Sequence, residues 1–224
     1  MTSDLTLDDN QIDQLKELVN LAMGDGAKAL GNYTQRFVVL SVPQISSVSV
    51  PQLPTICRHS EAQQGPHTVQ QSFECLGEQG AILLLISQHY LHAFAEIMDR
   101  ECKSSADQES LLAQLAGLLY PVILPRLAKE LGVSLKAGEM VTRLQNSDQA
   151  LALPGLEAGA YNLSFSYALE APMDGQSMSG AADPLTEYRI AKSIKPALGL
   201  DVLIRATLTQ LQLFSEEFAH RLEH

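Results

Sequence analysis

DQLKELVNLAMGDGAKALGNYTQRFVVLSVP, residues 13–43, sets polar residues at a spacing that apolar packing alone does not produce. At 100° per residue, Asp13, Glu17, Asn20 and Gly24 fall at i, i+4, i+7 and i+11, one narrow stripe of a helix. The opposite arc carries Ile12, Leu15, Leu18, Val19, Ala22 and Met23, a core face. The helix is therefore expected to bury one side and to offer water two carboxylates, a carboxamide and a glycine. An interior glycine costs about 1 kcal/mol relative to alanine. On the exposed row, Gly24 would let another backbone come close beside Asn20. After the stop signal Gly31-Asn32, the run Phe37 to Val42 is apolar and β-branched and reads as a strand ended by Pro43.

These residues resemble the CheC/CheX/FliY family of response-regulator phosphatases. The spacing Asp13-x3-Glu17-x2-Asn20-x22-Pro43 is similar to that family's active-site pattern, and the run Asn20 to Leu30 is similar to its Asn-x-Gly-x-Gly-x-Ala-x-x-Ala-Leu, with Ala22 replacing one glycine. Glu-x-x-Asn alone would be a weak signal; the additional positions give it weight. The resemblance implies most of the expected topology: an α+β protein of two pseudo-symmetric halves that share an antiparallel sheet, with long helices packed on it.

Outward from this stretch, the first helix is expected from about residue 8 to 31, with Thr6 and Asp9 as a cap pair. Ser46 to Pro54 admits another strand, and Pro54 to His67 reads as a polar loop. Thr68 to Leu76 and Gly80 to Ser87 read as a hairpin turning at Gly77 to Gly80, and Gln88 to Glu101 as a helix. A capping box of Ser105 with Gln108 opens a second long helix, Gln108 to Leu131, broken or kinked near Pro121 and Pro125. Tyr161 to Leu169 alternates as a strand, Ala171 to Pro184 is a loop and Thr186 to Lys195 a short helix. Asp201 to Leu213 reads as a long strand and Phe214 to Arg221 as a last helix. Leu222-Glu223-His224 resembles the start of an expression tag.

Shifting the numbering by 97 lays the first long helix on the second. Leu15 falls on Leu112, Leu18 on Leu115, Leu21 on Leu118, Leu30 on Leu127 and Val38 on Leu135, so the apolar positions persist. The polar row does not: Asp13, Glu17 and Asn20 become Ser110, Gln114 and Gly117, and Met140 stands where Pro43 would be. One domain over 1–224 is expected, with halves of about 8–102 and 105–221, one live site and one degenerate site.

With 46% apolar and 18% charged residues, the chain is globular and long enough for one sizeable core or two small ones. There is no uninterrupted run of 18 apolar residues and no basic segment followed by an apolar one. Neither a membrane span nor a secretory signal is implied, and a cytoplasmic location is the default expectation. Cys57, Cys75 and Cys102 are odd in number and irregularly spaced, which argues for reduced thiols. The formal net charge is −11, and no Lys/Arg cluster marks a nucleic-acid groove. Asp4, Asp8, Asp9, Asp13 and Glu17 concentrate the acid at the first helix's start. A helix N-terminus favours such residues, and a partner's exposed lysine would too. His89 and His92 at i, i+3 lack a third ligand, Cys57-x-His59 is equally thin, and no phosphate-binding or nucleophile-elbow motif occurs. No cofactor or metal of the chain's own is expected.

Hydrolysing a phosphoryl group needs water in line with the leaving oxygen. A carboxamide accepts and donates at once without titrating, so Asn20 could hold that water, and Glu17 one turn away is an anionic handle. The resemblance implies specific roles. Asn20 orients the attacking water on the phospho-aspartate of a CheY-type receiver, Glu17 pairs with the receiver's lysine, and the Mg2+ that coordinates the phosphoryl group belongs to the receiver. Asp13 then adds a peripheral contact, Gly24 clearance and Pro43 a fixed loop edge, and a CheD-like modulator is a further possible partner. Two other readings remain open. One is a non-catalytic phospho-receiver-binding module of the flagellar-switch type, which does not carry the Glu-x-x-Asn pair. The other is a structural adaptor acting through the degenerate helix, which predicts an apolar-flanked Ser110 to Gln114 face buried in an interface.

Overall fold

The first helix starts where a side chain supplies what the backbone lacks. Asp8 accepts a hydrogen bond from the Gln11 amide at 2.8 Å, and Gln11 Oε1 accepts from the Asp8 amide at 3.0 Å. Two orphan donors are thus satisfied reciprocally. The computed structural model describes residues 7–46, 66–144, 160–169 and 198–222. Thr6 lies outside them, and the cap falls at Asp8 rather than at the Thr6–Asp9 pair. Helix α1 spans Asp9–Thr34 and passes the expected stop at Gly31. Thr34 is buried and its Oγ1 donates to the Leu30 carbonyl at 2.7 Å, which favours one more turn before Gln35 closes the helix at φ 55°.

Strands β1 (Val38–Leu40), β2 (Gln44–Ser46), β3 (His67–Cys75) and β4 (Glu78–Ile86) follow. The β3–β4 turn is tighter and earlier than the sequence suggests. Leu76 and Gly77 both take positive φ, 56° and 79°, as a two-residue hairpin turn requires, so Glu78 and Gln79 already pair with Cys75 and Glu74. Helix α2 (Gln88–Ile97) ends before Asp99, whose φ is 51°. Helix α3 (Ser105–Leu131) is capped by Ser104 and Asp107, one residue ahead of the expected box. It runs unbroken through Pro121 and Pro125. Each proline removes the donor that would reach the carbonyl four residues back. Gly117 and Pro121, which carry those carbonyls, are exposed, where water can serve them.

Strands β5 (Leu135–Arg143), β6 (Ala160–Leu169) and β7 (Leu198–Thr207) and helix α4 (Leu208–Leu222) complete the described chain. The expected long strand to Leu213 stops at Thr207, whose hydroxyl accepts from the Gln210 amide at 3.1 Å. Beyond it Leu211, Phe214, Ser215 and Phe218 are buried at helical spacing, and that packing overrides the local alternation. The expected strand over Ser46–Pro54 and the loop and helix over 171–195 fall largely or wholly outside the described residues.

The sheet is antiparallel, in the order β1-β6-β7-β4-β3-β5, with β2 also on β6. Exchanging β1 with β5, β3 with β6 and β4 with β7 returns the same order reversed, so the halves are pseudo-symmetric about the β4–β7 seam. Each half lends its first strand to the far edge of the other. The helices obey the same relation. All eight buried residues of α1, from Leu15 to Thr34, land on buried residues of α3 under the shift of 97. Gly26 and its counterpart Ile123 meet where the two helices cross: a Cβ on Gly26 would lie 3.2 Å from Ile123. Beneath them Leu15, Leu18, Leu30, Leu115, Leu127 and the inner sides of β4, β6 and β7 form one apolar core. Burying each leucine contributes about 1.5–3 kcal/mol.

Candidate functional site

Asp13, Glu17, Asn20 and Gly24 all lie exposed on the outer side of α1, while Leu15, Leu18, Val19, Ala22 and Met23 are buried beneath them. Eleven residues of helix make this row about 16 Å long. Asp13 pairs with Lys16 at 3.5 Å at the row's outer end. Among the described residues, neither the Glu17 carboxylate nor the Asn20 carboxamide has a hydrogen-bond or ion-pair partner. Rigidly mounted on a helix whose far side is locked in the core, both are free to engage a docking molecule. Nothing lies within 4 Å of a Cβ built on Gly24, so the space beside Asn20 is open. Leu21, 38% exposed, sits on the same side of the wheel as this row. Sequence reasoning passed over it, although an apolar residue on the polar arc was the available signal.

Pro43 does not join the row. It is buried at the junction of β1 and β2. There it divides an edge that its counterpart half builds as a single nine-residue strand, β5. Both edges shift register by one residue at the same place, between Leu40 and Gln44 against β6 and between Ala137 and Met140 against β3. Ser41 holds the broken edge: its amide donates to the Ser166 carbonyl at 3.0 Å and its hydroxyl accepts from the Ser166 amide at 2.7 Å. A proline without an N–H suits such an interruption. Pro43 thus acts by shaping the edge rather than by presenting a surface.

The corresponding row on α3 has a different fate. Arg100, after α2, donates to Gln114 Oε1 at 2.7 Å and to Ser110 Oγ at 3.4 Å, and Gln114 donates in turn to the Tyr33 hydroxyl on α1. A guanidinium of the chain itself therefore occupies the side chains that stand where Asp13 and Glu17 stand on α1. Ser110 is exposed and the flanking Leu111 and Leu112 point into the core, so this face is polar and internally bonded.

No group of three or more His, Cys, Asp or Glu side chains that could hold a metal is present among the described residues. His92 contacts Gln88 at 2.6 Å, and Gln88 reaches buried His67 at 2.7 Å, while His89 is exposed beside the Tyr90 ring. Cys57 and His59 lie outside the described residues. Cys75 and Cys102 are unpaired and buried. Burial pushes the Cys75 thiol up to about 11, and burial together with the Asp107 carboxylate raises that of Cys102, so neither is a nucleophile at neutral pH. Helix α3 is long and apolar enough to cross a membrane by length and composition. Ten of its residues are buried in the protein core, which accounts for that apolarity.

No protein-family model and no curated protein matches the chain by sequence. Its three-dimensional likenesses are extensive, and they define the fold, which is that of solved FliY and CheX structures. FliY of Thermotoga maritima superimposes with a TM-score of 0.60 at 14% identity, over 96% of this chain and 98% of that one. A chain of the FliG–FliM complex of H. pylori gives a TM-score of 0.55 at 6% identity, over 94% and 100%. CheX of Desulfovibrio desulfuricans gives 0.50 at 8% identity, over 84% and 97%. At such identities the likeness is one of fold, which bears out the expected α+β architecture and leaves the chemistry to the residues.

Proposed function

We propose that the chain is a phosphatase that hydrolyses the phospho-aspartate of a CheY-type response regulator in chemotaxis or a related two-component pathway. One observation carries the reading: Glu17 and Asn20 stand exposed and, among the described residues, without internal partners on one rigid helix face, beside the open space at Gly24. A side chain committed to the fold would be bonded, as Gln114 is on α3. In this reading Asn20 holds the attacking water with its carboxamide, Glu17 pairs with the receiver's lysine, and Asp13 and Leu21 widen the contact. Mg2+ remains with the receiver. The chain's own part is to position water and exclude misaligned approach, which suits a group that never changes protonation state. A CheD-like protein is proposed as a modulator.

A second reading draws on the likeness to a chain of the FliG–FliM complex, which exceeds that to CheX. Under it the chain binds a phosphorylated receiver without hydrolysing it. Phosphate release from a phosphorylated receiver separates the two. With Asn20→Ala the phosphatase reading expects a loss of about 10²-fold or more in rate with receiver binding retained. Glu17→Ala should weaken both binding and turnover. Equal rates for wild type and Asn20→Ala would overturn it.

A further inference from the structure

One turn beyond Gly24 the sign of the surface reverses. The chain as a whole carries −11, yet Lys28, Arg36, Arg126 and Lys129 line two adjoining grooves that share Lys28 and Asn32. Each groove has a volume of about 450 Å3. One runs along the α1–α3 seam and the other rounds the C-terminal end of α1 towards β1. Among the described residues Asp25 is the one acidic residue in the lining, and it is engaged by Arg126 at 3.4 Å. Arg126 also holds Glu130 at 2.8 Å, so that guanidinium is neutralised within the fold.

Among the described residues the remaining cations are not neutralised. Lys28 and Lys129 are exposed and have no ion pair among the described residues. Arg36 Nη1 is buried without a hydrogen-bond partner there, although an arginine so placed ordinarily finds an acceptor. The floor between these charges is apolar, built from Ala29, Val122 and Pro125 along the seam. At the far end Phe37 stands 69% exposed, a large aromatic side chain with no cover.

We infer that this basic groove is a docking site for an acidic amphipathic helix of a protein partner, separate from the Glu17/Asn20 row and independent of the phosphatase reading. Charge complementarity selects the occupant, since three uncommitted cations on an acidic protein attract carboxylates and repel basic segments. The apolar floor and Phe37 take the occupant's apolar face in the helix-in-groove manner. From Asp25 to Arg36 the seam is about 16 Å long, room for about three helical turns.

A fluorescein-labelled peptide of about twelve residues, with leucines at i, i+3, i+4 and i+7 and glutamates elsewhere, tests the site by fluorescence anisotropy against the full chain. A peptide with lysine in place of each glutamate is the control. The glutamate peptide should bind saturably and at least about tenfold more tightly, weakening as salt is raised. Lys28→Glu with Lys129→Glu should weaken it about tenfold or more, whereas Lys136→Glu, on the β5 edge strand outside both groove linings, should leave it unchanged. Equal binding of both peptides, or equal losses in the groove and β5 variants, would overturn the inference. So would a wild-type dimer in sedimentation that the double variant dissociates, because a second copy would then be the occupant.

Discussion

Gly24 and Gly26 lie two residues apart on α1 and should respond to alanine with opposite signs. Gly24→Ala places a methyl where nothing lies within 4 Å, so only the helix preference changes, a gain of about 0.5–1 kcal/mol. Gly26→Ala places it 2.3 Å from Tyr167 Oη and 3.2 Å from Ile123. Tyr167 is buried and donates to the Met23 carbonyl at 3.0 Å, so it cannot retreat without losing that bond. Overpacking costs about 1–3 kcal/mol, and a stranded buried hydroxyl about 1–3 kcal/mol. After about 1 kcal/mol of helix gain is offset, Gly26→Ala should destabilise by about 1–5 kcal/mol. Urea unfolding followed by circular dichroism, with m unchanged, reads both. For a chain of this size each kcal/mol moves Tm by about 2–4 °C, so the variants should separate by several degrees. A destabilised Gly24→Ala or a stabilised Gly26→Ala would refute the placement of both residues. Under the proposed function, Gly24→Ala should also slow receiver dephosphorylation despite its greater stability.

Arg100→Ala removes two hydrogen bonds from an exposed group, so it should cost no more than about 1 kcal/mol in chemical denaturation. A loss of several kcal/mol would contradict a peripheral role. The Asp107 carboxyl is held below its ordinary value of 3.8 mainly by hydrogen bonds from Ser104, then from Lys103. A depressed carboxyl stabilises the fold above its unfolded pKa, and that contribution is lost as pH falls through the folded value. Asp107→Asn should therefore flatten the stability profile below about pH 4 and leave the shape of the neutral region unaltered. With Cys75 buried and its thiol pushed up to about 11, a thiol reagent at pH 7 should modify that residue only after unfolding. Rapid labelling of Cys75 in the native chain, seen by mass spectrometry of the digest, would show that β3 opens locally.

The row on α1 was legible because its signal is a conflict: Asp13, Glu17, Asn20 and Gly24 break the economy of a helix that otherwise needs only an apolar face. The duplication was legible for a related reason. Packing keeps leucine at Leu15, Leu18 and Leu30 and again at Leu112, Leu115 and Leu127, while the polar residues of the outer face differ between the two helices. What misled the reading was local. Pro121 and Pro125 read as breaks, yet the carbonyls they orphan belong to exposed residues. Leu208 to Leu213 alternates like a strand, while the packing partners of Leu211, Phe214 and Phe218 come from distant segments that no local window contains. Pro43 was legible as the end of a strand, but its burial depends on the register of β1 and β2 against β6, a long-range pairing. The grooves at Lys28 and Lys129 escaped notice because their cations are about a hundred residues apart in sequence and become neighbours only when α1 crosses α3.

The central claim is that the exposed Glu17/Asn20 pair turns over phosphoryl groups rather than merely binding them. The most direct test is a time course of phosphate loss from excess phosphorylated receiver with wild-type chain at about one part in fifty. Many receivers dephosphorylated per chain, at a rate proportional to chain concentration, is the result the account predicts. A stable stoichiometric complex with phosphate loss no faster than the receiver's own would contradict it and leave a binding module of the flagellar-switch kind.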